Sequence, residues 1–319
     1  MLREGIILLS HSSVARAVVT RTPLRGMARR FVPGETVDDL IRAIKVASAE
    51  GLTATGNFLG ESVHDEASAR LAADVYFDIL ERIAAEKLSA NISLKFTALG
   101  QDISQAFLAS NLVRILERAK AAGIFVRFDM ESSEYTQRTL DAFDKVWSEG
   151  WRDVGVVLQS YLKRSAGDVA RMNRLGARVR LCKGAYNEPP EVAFKDRADV
   201  DRSFVELMRA LLAEGNYPAI ATHDERMLDA TVAFHQEQGI GKERFELQML
   251  HGVRRDLQRQ LVKDGYNVRV YVPFGTHWYP YLMRRLAERP ANLMSMVGSV
   301  VKETPLGFLW PDNRNHGRP

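Results

Sequence analysis

The sequence has one cysteine, Cys182, in 319 residues. A lone thiol cannot close an internal disulfide, and there is no CxxC pair for metal binding or thiol exchange, so a reducing, cytoplasmic setting is expected. Long apolar runs are missing too. None approaches the ~18 residues of a membrane-spanning helix, and the patch in MLREGIILLS is too short for a signal-peptide core. Peripheral contact with the inner face of the cell membrane, through an amphipathic helix, remains compatible with the composition. Charge of one sign is also absent. The 44 basic and 40 acidic residues are interspersed and leave a net charge of +4, without the basic stripe of a nucleic-acid binder. A small molecule is the expected partner. No GxGxxG follows the first strand, no HxH or HExxH spacing supports a metal site, and no internal repeat is evident.

The residues present, 46% hydrophobic and 26% charged, suit a soluble globular chain with a sizeable core. Residues 1–36 read as an N-terminal helical segment and 37–310 as one catalytic domain, with a tail at 311–319. From residue 35 onward, helical and strand periodicities alternate. The strand-like runs are LTATGNF, NISLKF, IFVRFDM, VGVVLQSY, RVRLCKG, AIATH, FELQML and VRVYVPF. Helical stretches separate them, several ending in glycine. Eight strands with intervening helices predict an α/β fold of the (β/α)8 barrel type. A doubly wound open sheet is the alternative, weakened by the strand count and the missing glycine fingerprint.

In a (β/α)8 barrel, chemistry is built at the C-terminal ends of the strands. Taken in order, those ends offer Glu61; Lys95 and Thr97; Arg127, Asp129 and Glu131; Gln159, Tyr161 and Arg164; Arg180, Lys183 and Tyr186; Thr222, His223 and Asp224; Glu246, Gln248 and His251; and Tyr271, Thr276 and His277. Any single one could be a solvated surface charge. A lysine and an aspartate inside apolar strands, however, are costly to bury alone, so a Lys95–Asp129 pair is expected. Several functions compete for this set. A Schiff-base aldolase would use Lys95 or Lys183. A metal hydrolase would gather Asp129, His223, His251 and His277, although no spacing supports a metal and none is expected. A glycosidase would set Asp129 against Glu246. A barrel that only binds anionic metabolites is the non-catalytic alternative. The excess of Arg and Lys favours an anionic ligand, and the small-residue turn Lys183-Gly184-Ala185 lets backbone approach a phosphate.

Near the C-terminus, YLMRRLAERP places Tyr281, Arg284, Arg285 and Glu288 at i, i+3, i+4 and i+7 of one helix, which begins after Pro280. That shared face is either a solvated charged surface or an oxyanion-binding helix over the barrel mouth.

The segments ISLKFTALG, VRFDMES, VVLQSYLKR, RLCKGAYNEP, ATHDERM, FELQMLHGV, RVYVPFGTHW and YLMRRLAERPAN together resemble the proline dehydrogenase family. The monofunctional bacterial type is the nearest in pattern, and the similarity runs from about residue 28 to 310. The resemblance implies a distorted barrel that binds FAD and a last helix that covers the substrate. It implies oxidation of L-proline to Δ1-pyrroline-5-carboxylate, with electrons passed to a quinone. Lys95 would contact the substrate carboxylate, with Asp129 as its paired acid. Tyr271, Tyr281, Arg284 and Arg285 would form the substrate pocket, with Glu61 and Glu288 steadying the arginine helix. Arg180 and Lys183 would lie by the flavin N5 and the pyrophosphate. Met130, Gln159, Cys182, Gly184, Ala185, Tyr186, Thr222, His223 and Glu246 would complete the cofactor site. Cys182 is expected to pack on the flavin without a redox role, and HWYP is a compact loop before the arginine helix.

Overall fold

The computed structural model describes residues 28–60 and 63–288, apart from the side chains of 284 and 286–288. Residues Pro33–Thr276 form one compact unit, and the described residues 28–32 and 277–288 belong to a second. The first unit alternates helix and strand: α1 Val37–Ala49, β1 Thr53–Phe58, α2 Glu66–Ala85, β2 Ala90–Leu94, α3 Gln105–Ala121, β3 Val126–Phe128, α4 Ser133–Ser148, β4 Val154–Gln159 and α5 Ser165–Leu175. It continues with β5 Arg178–Cys182, α6 Arg197–Glu214, β6 Ala219–Ala221, α7 Glu225–Glu237, β7 Glu246–Leu250, α8 Arg255–Lys263 and β8 Val268–Phe274. Helix α9, Trp278–Glu288, belongs to the second unit.

All eight strands are parallel, and β8 pairs with β1 to close the barrel. Every expected strand is present; β8 keeps its expected bounds, β2 starts one residue earlier and ends two sooner, and the others are trimmed by one to four residues. Local chemistry explains the helix starts. Thr36 caps α1 in a reciprocal box, its Oγ1 accepting from Asp39 N at 3.2 Å while the Asp39 carboxylate accepts from Thr36 N at 3.0 Å. Helix α1 then buries Leu40, Ile41, Ala43, Ile44 and Ala47.

Strand periodicity of two divides the molecule into a shell and a lumen. Ile92, Leu94, Val126, Phe128, Val154, Val156, Val179, Leu181, Val268 and Val270 are buried in the apolar core with the helices. The alternate positions, Thr55, Asn57, Asn91, Ser93, Arg127, Gln159, Arg180, Glu246 and Gln248, are polar and buried as well. Gly155 makes room among them. A Cβ there would lie 2.4 Å from the Arg178 carbonyl and 2.7 Å from Arg127 Nη1, where Arg127 now donates to that carbonyl at 2.8 Å.

Candidate active site

Asp129 follows β3 and gathers donors from around the barrel. Its carboxylate accepts from Arg180 Nη1 of β5 at 2.8 Å and from Tyr271 Oη of β8 at 2.7 Å. Ser93 Oγ of β2 also donates to it, and Asn57 Nδ2 of β1 approaches at 3.4 Å. Tyr76 braces this group from the helical shell, its hydroxyl donating to the Ser93 carbonyl at 2.8 Å. Burial, with the charge of Asp129 adding, pushes the Tyr76 phenol far up, so it stays a donor.

Arg180 is only 6% exposed and is held from two sides. Besides Asp129, its Nε donates to Gln248 Oε1 at 2.5 Å. Gln248 Nε2 in turn donates to Glu246, which pairs with Arg269 Nε at 3.0 Å. The guanidinium carbon lies 5.2 Å from the Tyr271 ring centroid. Lower in the lumen, burial, followed by repulsion from Arg180, holds the Arg127 guanidinium well below its ordinary value.

The expected Lys95–Asp129 pair does not form. Asp129 pairs with Arg180 instead, because both lie on the lumen face of strands two apart. Lys95, 7% exposed, has no ion-pair partner among the described residues. Glu246 also departs from expectation. It opens β7 rather than closing it, and sits at the end of the strand opposite the C-terminal mouth, paired with Arg269. Met130 is buried in the apolar core.

A second charged network lies just past β5. Lys183 Nζ donates to Asp201 of α6 and, at 2.8 Å, to Asp224, the cap of α7. Arg226 Nη2 joins both carboxylates, at 2.7 Å and 3.1 Å. Burial works against a charge on Asp224, but hydrogen bonds from Arg226 and Lys183 hold its carboxyl far below the usual range. Lys183 is thus tied to two carboxylates rather than set alone in the apolar pocket a Schiff-base nucleophile needs. Gly184 then turns with φ +108°, and a Cβ there would fall 2.4–2.6 Å from the Tyr161 ring. The expected reason for this glycine was backbone approach to a phosphate; the structure adds a ring packed against it. Glu188 anchors the same loop, its buried carboxylate accepting from Ser133 N at 2.8 Å at the start of α4 and from Tyr161 Oη at 3.2 Å.

The remaining expected residues are dispersed along the strand ends. Gln159 and Cys182 are register partners on β4 and β5, and Cys182 is a half-buried thiol outside any disulfide. Thr222 Oγ1 accepts from Asp224 N at 3.1 Å, and His223 Nε2 accepts from Leu250 N at 2.8 Å, so that nitrogen is committed as an acceptor. Burial, with Arg255 adding, pushes His251 down to about 4. Ala185 and Tyr186 continue the Gly184 turn, both half-buried. In the second unit, α9 holds Tyr281 and Arg285 one turn apart, the guanidinium 5.4 Å from the ring centroid. Glu61 and the side chains of Arg284 and Glu288 lie outside the described residues.

Asn57, Ser93, Tyr76, Asp201 and Glu188 were not singled out from sequence. For Asn57 and Ser93 the signal was there, since TATGN, NISLK and VRFD are each polar at every second residue.

Comparison with known proteins agrees with this barrel. The family model for proline dehydrogenase matches residues 40–297. Proline dehydrogenase 2 of Bacillus subtilis is 39% identical over 291 residues, covering 91% of this chain and 96% of the relative. The proline dehydrogenase of Deinococcus radiodurans is 40% identical over 288 residues, covering 89% and 93%. Among solved structures, proline utilization A from Bdellovibrio bacteriovorus inactivated by N-propargylglycine superposes with a TM-score of 0.80 at 26% identity. The alignment covers 96% of this chain but only 38% of that longer protein. A closed parallel barrel, a polar lumen converging on Asp129, and this similarity along nearly the whole chain lead to one conclusion: the chain belongs to the proline dehydrogenase family of oxidoreductases.

Proposed function

We propose that the chain oxidises L-proline to Δ1-pyrroline-5-carboxylate, the first step of proline catabolism to glutamate, with FAD as cofactor and a quinone as the acceptor that re-oxidises it. The observation that carries this reading is the buried cluster of Asp129, Arg180 and Tyr271 inside a barrel of this family. The residues present fit a flavin. Arg180 Nη2 and Gln159 Oε1, on the neighbouring strands β5 and β4, are buried without hydrogen-bond partners among the described residues. One cationic donor and one amide acceptor suit a flat heterocycle that carries both acceptor and N–H edges. Lys183, with Arg226 beside it, and the Gly184 turn suit the pyrophosphate. Gln159, Cys182, Ala185, Tyr186, Thr222 and His223 complete the proposed cofactor set.

When bound, FAD would supply a two-electron, hydride-accepting heterocycle. The chain's own residues supply placement and charge. Lys95, buried without a carboxylate partner among the described residues, is suited to a substrate carboxylate, and by resemblance to the family Arg284 and Arg285 would be the second and third cations. Tyr271 offers the ring an apolar wall, and the family resemblance would add Tyr281. Arg180 brings fixed positive charge to the place where electron density accumulates. As the C–H bond beside nitrogen gives up its electron pair, the nitrogen loses its proton to solvent and the C=N bond forms. Quinones dissolve in lipid, so peripheral contact with the inner face of the membrane by an otherwise cytoplasmic protein is part of the proposal. Among the described residues, no helix is long and apolar enough to cross a membrane.

Anaerobic titration tests the reading. The purified protein should be yellow and should bleach stoichiometrically with L-proline. A colourless protein that cannot be reconstituted with FAD overturns it.

A further inference from the structure

We infer that Gln248 is the positioning residue that aims Arg180. The inference rests on the flavin-dependent reading above and extends it to a residue outside the proposed site. Arg180 has three nitrogen groups, and the structure assigns each one. Nη1 donates to Asp129 at 2.8 Å and to Ser93 Oγ at 3.2 Å. Nε donates to Gln248 Oε1 at 2.5 Å. Nη2 is buried and has no hydrogen-bond partner among the described residues. Two fixed points on a planar guanidinium determine where the third group points. Asp129 alone would leave the plane free to swing about the Nη1 contact. Gln248 removes that freedom.

Gln248 can do this because its own amide cannot flip. Its Nε2 donates to the Glu246 carboxylate, which Arg269 Nε holds at 3.0–3.1 Å. A flipped amide would turn Oε1 toward Glu246 and the NH2 group toward Arg180, leaving two repulsive contacts in a buried site. Gln248 is itself 3% exposed and Glu246 likewise 3%. The order Arg269, Glu246, Gln248, Arg180 therefore transmits orientation up the lumen, from the start of β7 to the place where Nη2 offers its N–H groups. Gln248 touches no reacting atom in this arrangement; it acts through Arg180.

The test uses the FAD-loaded protein and reads three quantities: flavin content, the flavin midpoint potential, and the limiting rate of anaerobic flavin reduction at saturating proline. In Gln248→Met, the limiting rate per bound flavin should fall by about 10–100-fold, the scale of an ångström of misplacement. The half-saturating proline concentration should change much less, and the potential should drop as positive charge moves off the flavin. The exchange of Gln248→Glu together with Glu246→Gln keeps an acceptor for Arg180 Nε and an N–H between the two side chains, and should recover part of the rate lost in Gln248→Met. The decisive measurement is a double-mutant cycle with Arg180→Lys, in which the effect of Gln248→Met on rate should vanish because its target is gone. Should Gln248→Met not fold, Gln248→Asn, one methylene shorter, withdraws the acceptor and carries the same expectation. Unchanged rate and potential in Gln248→Met, or effects that simply add to those of Arg180→Lys, overturn the inference. Wild-type protein that takes up no flavin, or whose flavin ignores proline, overturns the functional reading instead.

Discussion

Two charged networks spring from one strand. Arg180 and Lys183 stand three residues apart, one inside β5 and the other just past it, and each engages carboxylates brought by neighbouring elements. Their surroundings differ. The Arg180 and Asp129 side chains are 7% and 10% exposed, and their remaining bonds go to neutral groups: Ser93, Tyr271 and Gln248. Around Lys183 the bonds are charge against charge, with Arg226 63% exposed and Lys183 itself 26%. Buried charges survive only where every lone pair and proton is met, whereas half-wet ones lean on water and are screened by it. The inner network is thus a fixed scaffold in which, among the described residues, Arg180 Nη2 is left to meet a ligand. The outer one ties the starts of α6 and α7 to the strand end.

The sharpest way to break the comparison is at its inner end. In Asp129→Asn, a single amide oxygen must serve the three donors Arg180 Nη1, Tyr271 Oη and Ser93 Oγ, and the Arg180 charge loses its counterion. Breaking a buried ion pair from one side costs about 3–5 kcal/mol, so urea unfolding of the variant should show a loss of that size. Proline turnover should fall roughly 10²–10³-fold, since the preorganised cation is no longer held. A loss of less than ~1 kcal/mol would mean the inner network is as wet as the outer one.

This contrast explains which features the sequence alone conveyed. The eight strands were legible because outward residues such as Ile92, Leu94, Val126 and Phe128 repeat with period two, and glycine stops divide them from the helices. Asp129, Arg180 and Tyr271 stood out as polar groups in apolar strands. Their pairing did not, because strand order around a closed barrel decides which lumen residues meet. Lys95 lies nearer to Asp129 in sequence, yet Arg180 reaches it across the lumen. Glu246 looked like a strand-end acid, but its strand begins where the sequence run appeared to be under way, so it lies at the other end of the lumen. Asp201 carried no local signal at all, since it is an ordinary helical aspartate until α6 packs beside β5.

A smaller effect is expected at the hinge between the two networks. Gly184→Ala must adopt φ near +108° and move the Tyr161 ring, which a Cβ would approach to 2.4 Å. The backbone strain is worth about 1–3 kcal/mol. Because the turn connects Lys183 to Ala185 and Tyr186, the purified variant should also carry less flavin per chain, read as the ratio of visible to ultraviolet absorbance. Full flavin content with unchanged thermal stability would show that the turn relaxes freely and that the two networks are independent there.

The smallest effect belongs to the outer network, and pH isolates it. Asp224 titrates well below the ordinary carboxylate value of 3.8 in the folded chain, since Arg226 and Lys183 hold its charged form despite burial. A folded-state value depressed in this way contributes stability that is complete above the unfolded value. That stability drains away as pH falls through the folded one. Asp224→Asn is the clean probe, because asparagine caps a helix as well as aspartate does, so α7 keeps its first turn while the charge is removed. At neutral pH the variant should be less stable by ~1 kcal/mol, a modest figure because solvent screens a pair whose Arg226 is 63% exposed. From about pH 4 downward, across the window between the unfolded value and the depressed folded one, the two unfolding curves should draw together, as the wild type loses a contribution the variant never had. Parallel curves across that window would mean the Asp224 charge is not what holds Lys183 and Arg226. The outer network would then be a consequence of α6 and α7 packing rather than a cause of it.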